Sequence, residues 1–309
     1  MIRKAIITAA GKGTRQYPAT NAVQKEMFPL VDRDGLAKPT IQIIVEEALS
    51  AGIEEIAIIV QPGEEKQFVT HFQGLSEHEA ASFRDKPWGV QQSELLRRMQ
   101  QAIVYVHQTE QKGFGHAVYC AREFADGEPT LLLLGDHVYV SHSKTSCAQQ
   151  LLAAYARRKK SIFSVQQTPI EQLFLFGTVA GEGVDDSPGL YHLREIAEKP
   201  SPDYARRHLQ TAGLAEDMFL TIFGMYLLTP TIFDILGENI NQDRRENGEI
   251  QLTTALAELV RREGALALQM AGTRLDMGTP LGYLQTLLAL ALRGPHAEPL
   301  SAFLRNGAK

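Results

Sequence analysis

Four short apolar runs, each followed by a helix-like or glycine-rich segment, constrain this chain most. Ile2–Ala9, Ile56–Val60, Ile103–Val106 and Thr130–Leu134 are nearly unbroken apolar stretches of four to eight residues. Such runs are too uniform to alternate between core and water, as expected of central strands covered on both faces. The residues after the first run put Ile41, Ile44, Val45, Ala48 and Leu49 on one helical face, with Gly52 as a stop. Those after the second do the same with Phe68, Val69 and Phe72. Strand, helix, strand, helix implies an α/β fold with a mostly parallel, doubly wound sheet, whose ligands sit beyond the carboxyl ends of the strands.

Composition adds boundaries. At 309 residues and 44% apolar content the chain can bury a full core. A net charge of -5 without long charge blocks points away from nucleic acid and membrane surfaces. No apolar run approaches a membrane span and no signal-like segment opens the chain, so a cytoplasmic location is expected. The RRKK run at Arg157–Lys160 reads as compensation of a helix C-terminus. Cys120 and Cys147 are isolated, reading as reduced core thiols rather than a disulfide or metal pair.

The segment after the first run, AAGKGTRQYPATNAVQKEMFPL (Ala9–Leu30), carries the chemistry. Gly11 and Gly13 let backbone amides approach an anion, and Arg15 and Lys25 can neutralise it. Two familiar phosphate loops are excluded: the Walker pattern lacks its Gly-Lys-Ser/Thr, and the dinucleotide fingerprint has Gln16 in place of its third glycine. A second glycine-rich helix start follows at Gly113 and Gly115, past Gln108 at a strand end. Asp136 stands one glycine beyond TLLLL, and HVYV follows it in place of a helix, which favours a metal ligand over a helix cap. Further along, SELLRRMQQ suggests an amphipathic helix from Ser93, Ser146–Lys160 a helix, and Ser161–Gln167 a strand completing the first layer. LFGTVAGEGV, LYHLREIAEKP and FLTIFGMYLL then read as strands and turns of a mixed or antiparallel extension, with NGEIQLTTALAELV a capped helix. ALALQMAGTRLDMG reads as one strand into Asp276, followed by a helix; from Pro295 the chain suggests a tail or an oligomer contact. The adjacent Glu198 and Lys199, taken alone, read as surface charge.

Two carboxylates, two or three cations and two glycine loops, without a Ser-His-Asp or Cys-His set, suit phosphoryl or nucleotidyl transfer. Few carboxylates completed by substrate phosphates are typical of magnesium. A phosphate nucleophile is already anionic at neutral pH and needs no general base.

The same residues resemble a known family. AAGKGTRQYPATNAVQKEMFPLVD is similar to the G-x-G-T-R…P-x-T…P-K-E-M-L-P signature of sugar-1-phosphate nucleotidyltransferases, most of all the bacterial UTP:glucose-1-phosphate uridylyltransferases. The match continues in order through QxxxKGFGHAV, LLGD, FGTV, EKP, FGMYLL, GEIQLTTAL and LDMGTPLGYLQT. The resemblance implies a Rossmann-like, GT-A-like fold as one domain, with residues 1–167 binding nucleotide, 168–279 binding the sugar and completing the metal site, and 280–309 a helical segment and tail. It implies that Ala10 and Gly11 hold base and ribose, with Gly13 in the same loop, that Gln108 reads the uracil edge beside Gly113, and that Arg15 and Lys25 act on the triphosphate. Asp136 and Asp276 would hold Mg2+; Gly177, Glu198 and Lys199 would engage the sugar phosphate, a role that replaces surface charge for that pair. The implied reaction joins UTP and glucose-1-phosphate to give UDP-glucose and pyrophosphate in a homo-oligomeric enzyme. The chain departs from the pattern at Gln24, Phe176, Gly248 and Thr254. A thymidylyltransferase is the alternative within the class. A non-catalytic sugar-nucleotide regulator and a glycosyltransferase are alternatives outside it, the last disfavoured by Asp136-His137-Val138 in place of a D-x-D.

Overall fold

The computed structural model describes residues 2–307. Its strands are Lys4–Thr8 (β1), Pro29–Val31 (β2), Ala37–Pro39 (β3), Glu55–Val60 (β4), Ile103–His107 (β5), Thr130–Leu134 (β6), His137–Ser141 (β7), Ile162–Pro169 (β8), Gly177–Val184 (β9), Ser187–Glu198 (β10), Met218–Leu228 (β11), Leu266–Gln269 (β12) and Gly272–Asp276 (β13). Nine of them form one sheet in the order β5-β4-β1-β6-β11-β8-β12-β10-β9. The first four are parallel, as the uniform apolar runs require. Along β1, Ala5 and Ile7 face one buried cluster and Ile6 the other, so both faces are covered. Helices Thr40–Ser50 and Cys147–Arg158 pack on the first face, and helices Phe114–Cys120, Thr231–Asn241 and Leu252–Glu263 on the second.

From β11 onward the sheet is mixed, as expected of the second half. β11 runs antiparallel to β6 and β8, while β8 runs parallel to β12. One expectation is corrected here: β8 does not complete the first layer, because β11, from later in the chain, lies between it and β6. β11 is long enough to serve two neighbours along one edge. Met225–Leu228 pair with β6, and Leu220–Thr221 with β9. Between these pairings the register of β11 against β8 shifts, at the segment holding Gly224 with φ 90°. The gap left on that edge, between the end of β6 and the start of β9, is where a cleft opens.

Three further boundaries differ from expectation. The helix read from Ser93 spans Pro87–Ala102, because Pro87 sits in the first turn where its missing N–H costs nothing. Ser93 is internal and buried, its Oγ accepting from Leu75 N at 2.9 Å. The run from Ala265 to Asp276 is two strands: β12 joins the main sheet, whereas β13 leaves it to pair with β7. Helix Leu252–Glu263 follows Gln251, which makes no side-chain cap. Ser146 does cap its helix, accepting from Gln149 N at 3.2 Å, and Arg157 and Arg158 lie in the last turn. Cys147 is buried, Cys120 half-buried, and both are free thiols. The segment expected as a tail or an oligomer contact forms helix Ala297–Gly307, with no buried residue; residues 308–309 lie outside the described part. No helix among the described residues is long and apolar enough to cross a membrane.

Candidate active site

The gap along β11 widens into a cleft of about 840 Å³ at the carboxyl ends of β1, β5 and β6. Ala10, Gly11, Arg15, Lys25, Gln108, Gly113, Asp136, Gly177, Glu198, Lys199 and Asp276 all line it. Gly13 is the one sequence-selected residue that does not. It shapes the loop, with φ 59°, and its carbonyl accepts from Thr20 Oγ1 at 3.1 Å.

Parallel pairing puts the first loop, Gln108 and Asp136 on the same side of the sheet, because β1, β5 and β6 all end there. Asp276 arrives by another route. The antiparallel β7–β13 ribbon sets it opposite His137, and Met277 N donates to Asp136 O at 3.0 Å. A ribbon register thus joins carboxylates 140 positions apart in sequence.

The junction is tightly connected. Lys25 Nζ donates to Asp136 Oδ2 at 2.6 Å and lies 3.5 Å from Glu26 Oε1; His137 Nδ1 donates to Asp136 Oδ1 at 2.8 Å. Burial works against the charges of Lys25 and Asp136, but their mutual attraction outweighs it. Lys25 is held above the usual ammonium range, and Asp136, helped by His137, well below the carboxylate range. Glu26 differs: it is fully enclosed, and burial pushes it up to about 8 despite Lys25. Gly278 completes the packing. A Cβ there would sit 2.7 Å from Arg15 Nη2 and 3.0 Å from carboxylate oxygens of both Asp136 and Asp276.

This donor set fits a hard divalent cation. Asp136, His137 and Asp276 offer ligand atoms within 4.8 Å of one another, and the space beside Gly278 is room a side chain would fill. Two carboxylate donors favour magnesium-type coordination over sites built from sulfur and nitrogen. His137 Nδ1 holds Asp136 Oδ1 and so orients that carboxylate toward the space it shares with Asp276.

At one end of the cleft, Gln108 is 3% exposed, and its amide donates to Gly113 O at 3.1 Å. At the other, Glu198 Oε2 accepts from Thr253 Oγ1 at 2.7 Å and would lie 3.3 Å from a Cβ at Gly177. Lys199 adopts φ 43°, with its N–H on Phe176 O at 3.2 Å; its Nζ, 3.8 Å from Glu198 Oε1, remains half exposed. Arg274 also lines the cleft. It is two residues before Asp276 on β13 and so on the same strand face. Its guanidinium lies 3.9 Å from the centre of the Phe176 ring and donates to Ile222 O, and Nε is buried without a partner. Among the described residues no carboxylate lies within ion-pair distance of it.

Anion-handling glycines, two cations and a carboxylate pair thus share one cleft. Residues 4–291 match the nucleotidyl transferase family. The chain belongs to that family. The UTP--glucose-1-phosphate uridylyltransferase of Staphylococcus epidermidis is 37% identical over 312 residues, 99% of this chain and 98% of that protein. That of Bacillus subtilis is 37% identical over 94% of this chain and 92% of its own. A UDP-glucose pyrophosphorylase crystallised with UDP-glucose superposes with a TM-score of 0.76 at 30% identity, covering 94% of this chain and 98% of that one. A UTP-bound enzyme from Acinetobacter baumannii superposes at 0.79 and 25% identity, over 99% and 100%.

Arg274, which lines this nucleotidyl transferase's cleft, and Glu26 and His116, which contact its Lys25 and Gln108, were not expected from the sequence. Arg274 carried a signal, standing two positions before Asp276 on a strand, and so did Glu26, next to Lys25. His116 carried none, because its contact with Gln108 depends on how the Gly113 turn folds. The departures from the family pattern have visible neighbours. Thr254 Oγ1 donates to Glu246 Oε2 at 2.7 Å, Phe176 lies under Arg274, Gly248 has φ 83°, and the Gln24 amide is buried without a partner.

Proposed function

We propose that this nucleotidyltransferase moves a uridylyl group from UTP to glucose-1-phosphate, giving UDP-glucose and pyrophosphate. The observation carrying this reading is the Lys25–Asp136–Asp276 junction between a nucleotide-type loop and the Glu198–Lys199 pair, in a chain aligned end to end with enzymes of that name. A phosphate oxygen of glucose-1-phosphate attacks the α-phosphorus of UTP as the bond from that phosphorus to the bridging oxygen of the β-phosphate breaks, and pyrophosphate leaves with the electron pair. The attacking oxygen is already anionic, so catalysis reduces to alignment and charge neutralisation.

In this reading Arg15 and Lys25 neutralise the triphosphate. Ala10 and Gly11 hold the base and ribose through the backbone, with Gly13 setting the loop. Gln108 and Gly113 take the uracil edge. Gly177 and Glu198 receive the sugar ring, with Glu198 held by Thr253, while Lys199 and Arg274 face the sugar phosphate. Asp136 and Asp276 would hold Mg2+, which supplies charge neutralisation between the phosphates. In this reading residues 1–167 are the nucleotide part, 168–279 the sugar and metal-completing part, and 280–309 a C-terminal helical segment and tail; the working location is the cytoplasm.

Incubation with UTP, glucose-1-phosphate and magnesium is expected to release pyrophosphate. A panel of four nucleotides against several sugar-1-phosphates, with silence from every pair, would refute the reading. Use of dTTP is the second outcome to watch, since thymine differs by one methyl, worth roughly 1–3 kcal/mol of discrimination. The enzyme is also proposed to be a homo-oligomer. Leu281, Leu284, Leu288 and Leu292 form one exposed face of the C-terminal helical segment, and apolar faces of this kind usually mark association surfaces.

A further inference from the structure

The Gln108 amide is oriented by two contacts. Its Nε2 donates to Gly113 O at 3.1 Å and also meets His116 Nδ1 at 3.2 Å. A backbone carbonyl can only accept, so the Gly113 contact fixes the nitrogen on that side. The second amide hydrogen then needs an acceptor. The neutral tautomer of His116 with a bare Nδ1 provides one, and burial followed by the nearby Lys112 charge lowers the imidazole's tendency to protonate. The other neighbour of Nδ1 is Cys120 Sγ at 3.9 Å, a weak donor at most. With both hydrogens spent, Gln108 keeps one free polar atom, Oε1. Among the described residues Oε1 has no partner, and it is not among the buried orphans, so it keeps solvent access on a residue that lines the cleft.

We infer that His116 is a positioning residue for pyrimidine selection: by holding the Gln108 amide with Oε1 outward, it presents an acceptor to the base. The inference rests on the reading of Gln108 as the base contact. An outward acceptor matches the N3–H of uracil or thymine and opposes the bare N3 of cytosine. The adjoining Gly113 N–H, which has no acceptor among the described residues, can serve the neighbouring carbonyl of the imide. Were the amide to rotate, NH2 would face the base and the preference would move toward cytosine. His116 touches no substrate in this arrangement. It acts by making the rotated amide costly, because rotation would leave Oε1 against both Gly113 O and the bare Nδ1.

The test compares kcat/KM for UTP and CTP, with glucose-1-phosphate as acceptor, in wild type, His116→Ala, His116→Asn and His116→Gln. Thermal melts establish that each variant is folded, and nucleotide binding by calorimetry gives a readout independent of turnover. His116→Ala is expected to shrink the UTP:CTP ratio by at least about tenfold while leaving KM for glucose-1-phosphate unchanged, as befits the loss of one buried hydrogen-bond partner. Asparagine carries its carbonyl oxygen near the place of Nδ1, so His116→Asn should restore most of the ratio. Glutamine reaches the place of Nε2 and should not. A purely space-filling role predicts instead that glutamine, the larger side chain, rescues at least as well. A wild-type ratio in folded His116→Ala, or rescue by Gln and not Asn, overturns the inference. A wild-type protein that neither binds nor consumes UTP overturns the functional reading with it.

Discussion

Lys25 joins structure to chemistry at a single residue. It is the cation nearest Asp136, and Glu26 beside it is too deeply buried to supply a full negative charge of its own. Lys25→Ala is therefore expected to lower kcat by roughly 10²–10³, the usual scale for losing one preorganised charge donor. It should also lower the melting temperature, since Asp136 loses its closest counter-charge while remaining buried. Steady-state kinetics and a thermal melt read the two effects separately; wild-type turnover in this variant would move the catalytic cation elsewhere. Asp136 could be picked out in sequence from its strand-end position. Its partners could not, because His137 and Lys25 meet it only through the turn that β7 makes after β6 and the short helical turn at Lys25–Met27.

Helices and strands carry their own expectations. Helix Glu65–Phe72 docks through His71, whose Nε2 meets Gln42 Oε1 of helix Thr40–Ser50 at 3.0 Å, and burial lowers its pKa to about 4. The unfolded chain takes up that proton near pH 6.5, so between 6.5 and 4 the unfolded state binds more protons than the folded one. The stability His71 contributes is complete above pH 6.5 and is lost as pH falls toward 4, about 2 kcal/mol after allowing for its partial exposure. Melts of wild type and His71→Gln at pH 7 and pH 4.5 should show a smaller acid-induced drop in the variant. On β11, Gly224 holds φ 90° with Leu134 and His137 only 3.0 and 3.2 Å from where a Cβ would lie. Gly224→Ala should cost about 1–3 kcal/mol and loosen the cleft wall; chemical denaturation of both proteins measures it.

For the whole molecule, the leucine face of helix Pro280–Ala291 and the exposed Phe303 and Leu304 of the last helix are the features least explained by a lone chain. Leu284 and Leu288 are 56% and 40% exposed. If that face joins subunits, Leu284→Glu combined with Leu288→Glu should reduce the mass measured by light scattering to that of one chain, with the secondary structure retained by circular dichroism. An unchanged mass would place self-association on another surface.

The sequence by itself determined the parallel half of the sheet, the glycine loop and the aspartates at strand ends. Each of these is written locally, in the apolar period of a strand or in the residue types an anion or cation demands. Family resemblance then tied Gln108, Glu198 and Lys199 to the same cleft, where the adjacency of Glu198 and Lys199 alone spoke only of surface charge. Tertiary structure decided what depends on long-range register. β11 threads between β6 and β8, and the β7–β13 ribbon delivers Asp276 opposite His137. Arg274 lies over Phe176, and His116 meets Gln108. Pairing energy between strands far apart in sequence is shared by the whole sheet, and no single segment records it.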